Sequence, residues 1–231
     1  MIGDKGLSVL NKSKVLVFGV GGVGGYAVEA LARSGVGQID IVDNDTVSIS
    51  NINRQIIALH STIGKPKVDV CKERILDINP DYRVNAFKTF FLPENASQFD
   101  FGSYDFVIDC IDTISAKVQI ALMAQNSNTR VISSMGAGNK LDPSLFRVSD
   151  LSKTSVDPLA RVMRLELRKR GVTHLKCVWS PEPPLTPRGT AEGSGRRAPG
   201  SVSFVPPAAG LVLAGEVIRD LAGLSKAVVP H

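Results

Sequence analysis

Residues 15–24, VLVFGVGGVG, decide the fold that this sequence predicts. Val15–Phe18 is a short apolar run rich in β-branched residues, and apolar residues recur at helical spacing over Tyr26–Ser34. Between them, segment 19–24 satisfies GxGxxG with the glycines Gly19, Gly21, Gly22 and Gly24. The stretch therefore predicts a strand, a tight turn and a helix whose first backbone N–H groups face a phosphate.

Strands and helices alternate on both sides of this unit. The patterns predict strands over 38–42, 82–87, 106–111 and 130–134, with helices over 67–78 and 115–126. Later segments predict a helix over 157–170, a strand over 177–180 and a helix over 207–221. We expect an α/β fold with a Rossmann-like, mostly parallel sheet, helices on both faces and a C-terminal elaboration. One domain is expected over 1–231, with the Pro/Gly-rich residues 181–200 as a flexible loop.

The composition is that of an ordinary globular protein. Of 231 residues, 43% are hydrophobic and 21% charged, which excludes collagen-like, coiled-coil and wholly disordered classes. No membrane span is expected, because the longest uncharged run, 198–215, contains three prolines. The charged N-terminus lacks the apolar core of a secretory signal, and the three cysteines are widely scattered. A cytoplasmic location without disulfides or a thiolate zinc site is therefore expected.

Positive charge is concentrated in residues 140–199, which hold twelve Lys/Arg and six Asp/Glu. The segment carries +6, which exceeds the net charge of +5, because the remaining residues sum to −1. Such a run indicates either a polyanionic partner or a solvated helix face.

The glycine turn is followed by an acidic residue at the spacing of a nucleotide site. Asp43 ends the second predicted strand, 19 residues after Gly24. A carboxylate there can accept hydrogen bonds from ribose hydroxyls. These features alone favour NAD, and the alternative is that the glycines serve only helix–strand packing.

Three further motifs favour a triphosphate over a hydride carrier. They are NINRQ at 51–55, GKPK at 64–67 and DCID at 109–112. A guanidinium, an ammonium and a carboxylate that meet at the carboxyl edge of a parallel sheet suit phosphates and Mg²⁺.

Together these motifs and IVDND at 41–45 resemble the adenylation domain of the E1-like superfamily, which includes ThiF, MoeB and HesA. The segments 133–143, 150–171, 177–184 and 201–221 closely resemble its tRNA threonylcarbamoyladenosine dehydratase branch. The resemblance covers nearly the whole chain. It implies ATP and Mg²⁺ as cofactors and an adenylating enzyme as the activity.

The resemblance also implies roles for individual residues. Gly22 and the neighbouring glycines would cradle phosphates, and Asp43 would bind ribose. Asp112 would hold Mg²⁺, with Thr113 beside it. The phosphate contacts would come from Asn51, Arg54, Gln55 and Lys67, of which Arg54 and Lys67 stabilise the charge that develops during adenylation.

The implied substrate is the carboxylate of N6-threonylcarbamoyladenosine in the tRNA anticodon loop. After adenylation, the neighbouring carbamoyl group would close a ring and expel AMP. The predicted helix 157–170 places Arg161, Arg164 and Arg168 on one face, where they could meet RNA phosphates. A homodimer is expected from the family and from the apolar residues 207–215, for which an internal core helix is the alternative. A sulfur-transfer protein is a further expected partner.

Three other functions share part of this pattern. An E1-like activator of a sulfur-carrier or ubiquitin-like protein would share every ATP residue, but it commonly carries paired CxxC motifs or a thioester cysteine, which this sequence lacks. A Rossmann oxidoreductase and a non-catalytic nucleotide-binding scaffold are the others. Members of the branch also carry an arginine shortly before the position of Ile2-Gly3, which can reach the ATP phosphates of the partner subunit. Without that arginine, ATP binding with slow turnover is expected.

Overall fold

The computed structural model describes residues 1–186 and 200–224. The seven β-strands within these residues are β1 (Lys14–Phe18), β2 (Gln38–Val42), β3 (Ala86–Phe87), β4 (Phe106–Asp109), β5 (Val131–Ser134), β6 (Arg147–Asp150) and β7 (Lys176–Trp179). The α-helices are α1 (Gly3–Lys12), α2 (Gly24–Arg33), α3 (Lys67–Ile78), α4 (Ile114–Ser127), α5 (Pro158–Arg168) and α6 (Val205–Leu221).

The strands form one sheet in the order β3-β2-β1-β4-β5-β7-β6. All neighbouring strands are parallel except β6, which runs antiparallel to β7 at one edge. In the centre, Val17 of β1 pairs with Ile41 of β2 and Ile108 of β4. The chain continues from β1 to β2 and β3 on one side of β1, and it returns with β4 on the other side. The strand order therefore reverses at β1, and a crevice opens at the carboxyl ends of β1 and β4.

Alternate residues of each central strand enter two hydrophobic cores. Val15 and Val17 of β1 join a core with side chains of α2, α3 and α6. Leu16 and Phe18 face the opposite way and pack with α4 and a group of phenylalanines from the 91–101 region. A third cluster joins α4 and α5 to β7. The predicted mostly parallel sheet with helices on both faces is therefore confirmed.

Helix α6 packs closely on α2. A Cβ atom on Gly210 of α6 would lie 2.2 Å from the Val23 carbonyl oxygen, so only glycine allows this approach. Most side chains of α6 are buried, and within 207–215 only Leu211 is strongly exposed. Internal packing therefore explains the apolar surplus of this helix.

Three local predictions were incomplete. Helix α1 was not predicted, because it is only ten residues long, contains the weak helix formers Gly3 and Gly6, and buries only Gly6 and Leu10. Strand β6 was missed because RVSD holds a single apolar residue. The predicted strand over 82–87 is reduced to Ala86–Phe87 plus an isolated bridge at Arg83, since the Asn85 amide groups bind the buried Asp40 carboxylate.

The described residues contain no helix long and apolar enough to cross a membrane. Most of the predicted flexible loop over 181–200 lies outside them, because residues 187–199 are not described. The single domain over 1–231 stays a prediction.

Candidate active site

A cavity of about 720 Å³ opens at the carboxyl ends of β1, β2, β4 and β5. Of the predicted ATP and magnesium residues, those that line it are Gly19, Gly21, Gly22, Asp43, Asn51, Arg54, Gln55, Lys67, Asp112 and Thr113. They come from segments 19–22, 43, 51–55, 67 and 112–113, which are distant in sequence. The sheet therefore brings the sequence motifs to one place.

The glycine turn forms the floor of this cavity. Gly19 adopts φ +83°, and a Cβ atom there would lie 2.9 Å from the Cys110 carbonyl oxygen. Gly24 does not line the cavity, and a Cβ atom on it would lie 1.8 Å from the Gly19 carbonyl oxygen. Gly24 therefore has a packing role in the turn, and its direct contact with phosphate stays a prediction.

Asp43 joins the glycine turn to the end of β2. Its Oδ2 accepts a hydrogen bond from the Val20 N–H at 2.9 Å, and its Oδ1 accepts one from the Asp45 N–H at 2.9 Å. Each carboxylate oxygen has a further lone pair. Asp43 thus holds the turn in place and faces the cavity, where a ribose hydroxyl could donate to it.

Lys67 provides a buried positive charge in the cavity. The residue is only 5% exposed, and its Nζ lies 2.8 Å from Oδ2 of Asp45, whose side chain is 58% exposed. The ammonium offers three donors, so a bound phosphate could share it with this exposed carboxylate or replace the carboxylate. Asp45 was not predicted as a site residue, although it is the last residue of IVDND.

Segment 51–55 lies beside the glycine turn. The Arg54 guanidinium donates through Nη1 to the Ser50 carbonyl and to Oδ1 of Asn53, both at 2.8 Å. Gln55 is 6% exposed, and its buried amide oxygen Oε1 has no hydrogen-bond partner among the described residues. Asn51 Oδ1 accepts from the Ser48 N–H at 3.0 Å and so fixes the turn. A cavity with an unsatisfied buried amide oxygen is suited to a polar ligand.

Asp112 is exposed at the mouth of the cavity, with the Thr113 hydroxyl 3.5 Å from its Oδ1. Within the described part of the chain, no group of three or more His, Cys, Asp or Glu side chains could hold a metal ion by itself. Mg²⁺ in nucleotide sites usually takes one or two carboxylates together with substrate phosphates and water. An exposed carboxylate in a cavity that also holds the Arg54 and Lys67 side chains fits that requirement.

A buried ion pair lies beneath this loop. Lys117 and Asp109 are 0% and 1% exposed, and their charged atoms are 2.8 Å apart. The ammonium also donates to the carbonyls of Ile111 and Ser134, at 3.1 and 2.8 Å. The pair therefore joins the ends of β4 and β5 just below the cavity.

Part of the lining was not predicted. Thr89, Phe90 and Phe91 follow β3, and Phe90 is 44% exposed. The opposite part of the lining consists of Met135, Gly136, Ala137, Gly138, Leu159, Gly200, Ser201 and Pro206. The phenylalanines carry no motif. Most of the second group lies in the segments 133–143, 150–171 and 201–221, which carry the family resemblance, but nothing in those segments indicated that they meet at the cavity.

The predicted RNA-binding arginines lie on α5, outside the cavity lining. Arg161 and Arg168 are exposed. Arg164 instead donates to the carbonyl and hydroxyl oxygens of Thr154. It thereby anchors α5 to the preceding turn, and RNA contact by these three residues stays a prediction.

The cysteine thiols are poor nucleophiles in this structure. Cys71 and Cys177 are buried, and burial raises the pKa of each thiol to about 12. Burial also raises the pKa of Cys110, although this residue reaches the cavity lining. A raised pKa leaves almost no thiolate at neutral pH.

Comparison with known proteins agrees with this geometry. A tRNA threonylcarbamoyladenosine dehydratase of Bacillus subtilis is 48% identical over 232 residues, covering 95% of this chain and 91% of the relative. The enzyme of that name from Escherichia coli is 36% identical over 213 residues, covering 85% of this chain and 80% of the relative. The crystal structure of E. coli TcdA in complex with ATP matches with a TM-score of 0.87 and 33% identity, over 96% of this chain and 90% of that chain.

The family model of the ThiF family matches residues 1–229. That match spans every segment that lines the cavity. The chain therefore belongs to the ThiF family, in the group that contains the tRNA threonylcarbamoyladenosine dehydratases.

Proposed function

We propose that this protein is an ATP-dependent dehydratase that acts on N6-threonylcarbamoyladenosine in the anticodon loop of tRNA. It adenylates the carboxylate of the modified base and lets the product cyclise. The observation that carries the proposal is the single cavity that collects the glycine turn, Asp43, Arg54, Lys67 and Asp112. Relatives of the same name at 48% and 36% identity support the choice of substrate.

In the first step a carboxylate oxygen of the substrate attacks the α-phosphorus of ATP. A new P–O bond forms, the bond from the α-phosphorus to the bridging oxygen breaks, and pyrophosphate leaves with the bonding electrons. Negative charge increases on the phosphoryl oxygens and on pyrophosphate. The Lys67 ammonium and the Arg54 guanidinium, already held at the cavity, stabilise that charge.

Asp112 is the residue that would hold Mg²⁺, with Thr113 beside it. When bound, the ion supplies positive charge to the phosphates. Asp43 binds the ribose, and Phe90 offers an aromatic surface for the adenine base.

In the second step an atom of the neighbouring carbamoyl group attacks the activated carboxyl carbon. The C–O bond to the phosphate breaks, AMP leaves with that oxygen and the bonding electrons, and an N–H proton of the carbamoyl group is released to solvent. The base thus loses one water while ATP becomes AMP and pyrophosphate. The attacking group belongs to the substrate, so the enzyme needs only to position it. The raised pKa values of the three thiols agree with a reaction without a cysteine nucleophile.

A homodimer, a sulfur-transfer protein partner and a cytoplasmic location complete the proposal. For the dimer, the exposed residues Phe204 and Leu211 of the α6 region offer a small apolar surface, each 50% exposed. Sedimentation of a species near 25 kDa at micromolar concentration would contradict the homodimer.

Nucleoside mass spectrometry tests the activity. Transfer RNA that carries N6-threonylcarbamoyladenosine is incubated with the protein, ATP and Mg²⁺. The tRNA is then digested to nucleosides, and their masses are measured. We expect a product lighter by one water, and no product without ATP or with Asp112→Asn. Unchanged tRNA together with adenylation of a sulfur-carrier protein would assign the chain to carrier activation.

A further inference from the structure

Asp157 connects the cavity wall to the start of α5. The residue is 1% exposed. Its Oδ1 accepts a hydrogen bond from the Ala160 N–H at 2.9 Å and so caps the helix. Its Oδ2 accepts one from the Gly136 N–H at 3.1 Å. Gly136 lines the cavity, so one buried carboxylate contacts both the cavity wall and the first turn of α5.

The surroundings hold this contact tightly. A Cβ atom on Gly136 would lie 3.2 Å from Asp157 Oδ2, so the two segments are in close approach. The preceding residue, Val156, adopts φ +64°, which is rare for a β-branched side chain. Such strain persists only where the surrounding structure fixes it. Leu159, in the first turn of α5, itself lines the cavity.

The same helix presents the exposed Arg161 and Arg168 on its outer side. We propose that Asp157 is a positioning residue that transmits RNA binding on α5 to the segment Gly136–Gly138 of the cavity wall. The proposal rests on the proposed function, because it takes the tRNA substrate as the RNA. In this arrangement, tRNA bound on α5 fixes the position of segment Gly136–Gly138. The predicted ATP-binding residues, which line other parts of the cavity, are unaffected.

The two acceptor oxygens of the carboxylate suggest the variants. An asparagine can satisfy only one of the two N–H groups and places an NH₂ donor against the other. Asp157→Asn therefore breaks the double contact with almost no change in volume. Asp157→Ser keeps a preferred helix cap on a shorter side chain, and it serves as the second variant if the first does not fold. Asp100→Asn is the matched control, since Asp100 caps a short exposed turn by accepting from the Gly102 N–H.

Hydrogen exchange with mass spectrometry measures the transmission directly. In the wild type, we expect modified tRNA to slow exchange in peptides from α5 and from 135–138, each by about tenfold. In both Asp157 variants tRNA should slow exchange only in α5, whereas Asp100→Asn should behave as the wild type. The kinetic constants should separate the variants in the same way. The kcat of the Asp157 variants should be about tenfold lower than that of the wild type, and their KM for tRNA should stay within about twofold of it.

Two results would overturn the proposal. One is a variant in which tRNA still protects residues 135–138. The other is a wild type in which tRNA leaves 135–138 unprotected, whether or not α5 is protected. If the wild type does not remove water from the modified base, the proposed function fails, and the exchange pattern still decides the role of Asp157.

Discussion

At the scale of single residues, Lys67 and Arg54 carry the clearest consequence, because each places a positive charge in the cavity. Replacing either with alanine should lower kcat/KM about 100-fold or more, since charge on the departing phosphates loses a fixed partner. Transfer RNA affinity should stay within about twofold of the wild-type value. Steady-state kinetics and filter binding measure the two effects. Lys65→Ala, an exposed neighbour, is the control and should retain full activity.

The cysteines give a second prediction at this scale. Because the pKa of Cys71 and Cys177 is raised to about 12, the thiolate fraction at pH 8 is on the order of one in ten thousand. The thiolate fraction increases as pH rises, so alkylation should be slow at pH 8 and faster at pH 10. Intact mass after iodoacetamide treatment should show no adduct in the native protein at pH 8 and three in the unfolded protein. A rapid adduct on the native protein would contradict a mechanism without an active thiol.

At the scale of elements, the Lys117–Asp109 pair fixes α4 to the ends of β4 and β5. Lys117→Met leaves Asp109 buried without its charged partner and should cost about 3–5 kcal/mol of unfolding free energy. Adding Asp109→Asn should recover a large part of that loss, because the isolated charge is removed. Urea unfolding gives both values. Lys5→Met on the exposed side of α1 should change stability by less than about 0.5 kcal/mol.

The exposed arginines of α5 make another prediction about an element. If Arg161 and Arg168 contact RNA phosphates, each alanine replacement should lower the slope of log affinity against log salt by roughly 0.7 to 0.9. ATP affinity should not change, because neither residue lines the cavity. Arg33→Ala on α2 is the control, since that exposed side chain pairs with Glu29. An unchanged salt slope in the double variant would mean that the positive charge of α5 only faces solvent.

At the scale of the whole molecule, a ligand bound in the cavity should stabilise the entire sheet. ATP with Mg²⁺ at about 100 times its Kd should add about 2.7 kcal/mol. For a chain of this length that corresponds to roughly 5–10 °C in Tm. Differential scanning fluorimetry should show this shift with ATP and Mg²⁺ and almost none with NAD. A larger shift with NAD would favour an oxidoreductase.

Much of this fold is predictable from sequence because its signals are local. The run VLVFGVGGVG specifies a strand, a turn that requires glycine and a helix within ten residues. Helix α3 spans the predicted residues 67–78, where Pro66 and Asn79 bound the apolar pattern. The α1 helix and β6 could not be predicted, since each is stabilised mainly by neighbours that the local pattern does not contain.

The residues of the candidate site likewise fall into those that local sequence motifs indicate and those that only the folded structure reveals. Residues such as Asp43, Lys67 and Asp112 were identifiable because they occur in compact motifs at the ends of predicted elements. Asp157 followed by Pro158 is a helix-start signal, but the contact of Asp157 with Gly136 joins positions 21 residues apart and has no signal in the sequence. The connection of Arg164 to Thr154 likewise appears only once α5 has folded on its turn.

The packing of α6 on α2 has a consequence for protein synthesis. The ribosome completes α2 early, yet that helix packs along α6, whose Gly210 lies against the first turns of α2. At roughly 5–20 residues per second, about 10 to 35 seconds of translation separate the two helices. During that interval the nascent chain exposes apolar surface that no earlier segment can cover, so the N-terminal half of the sheet reaches its native packing only after the last described helix has emerged.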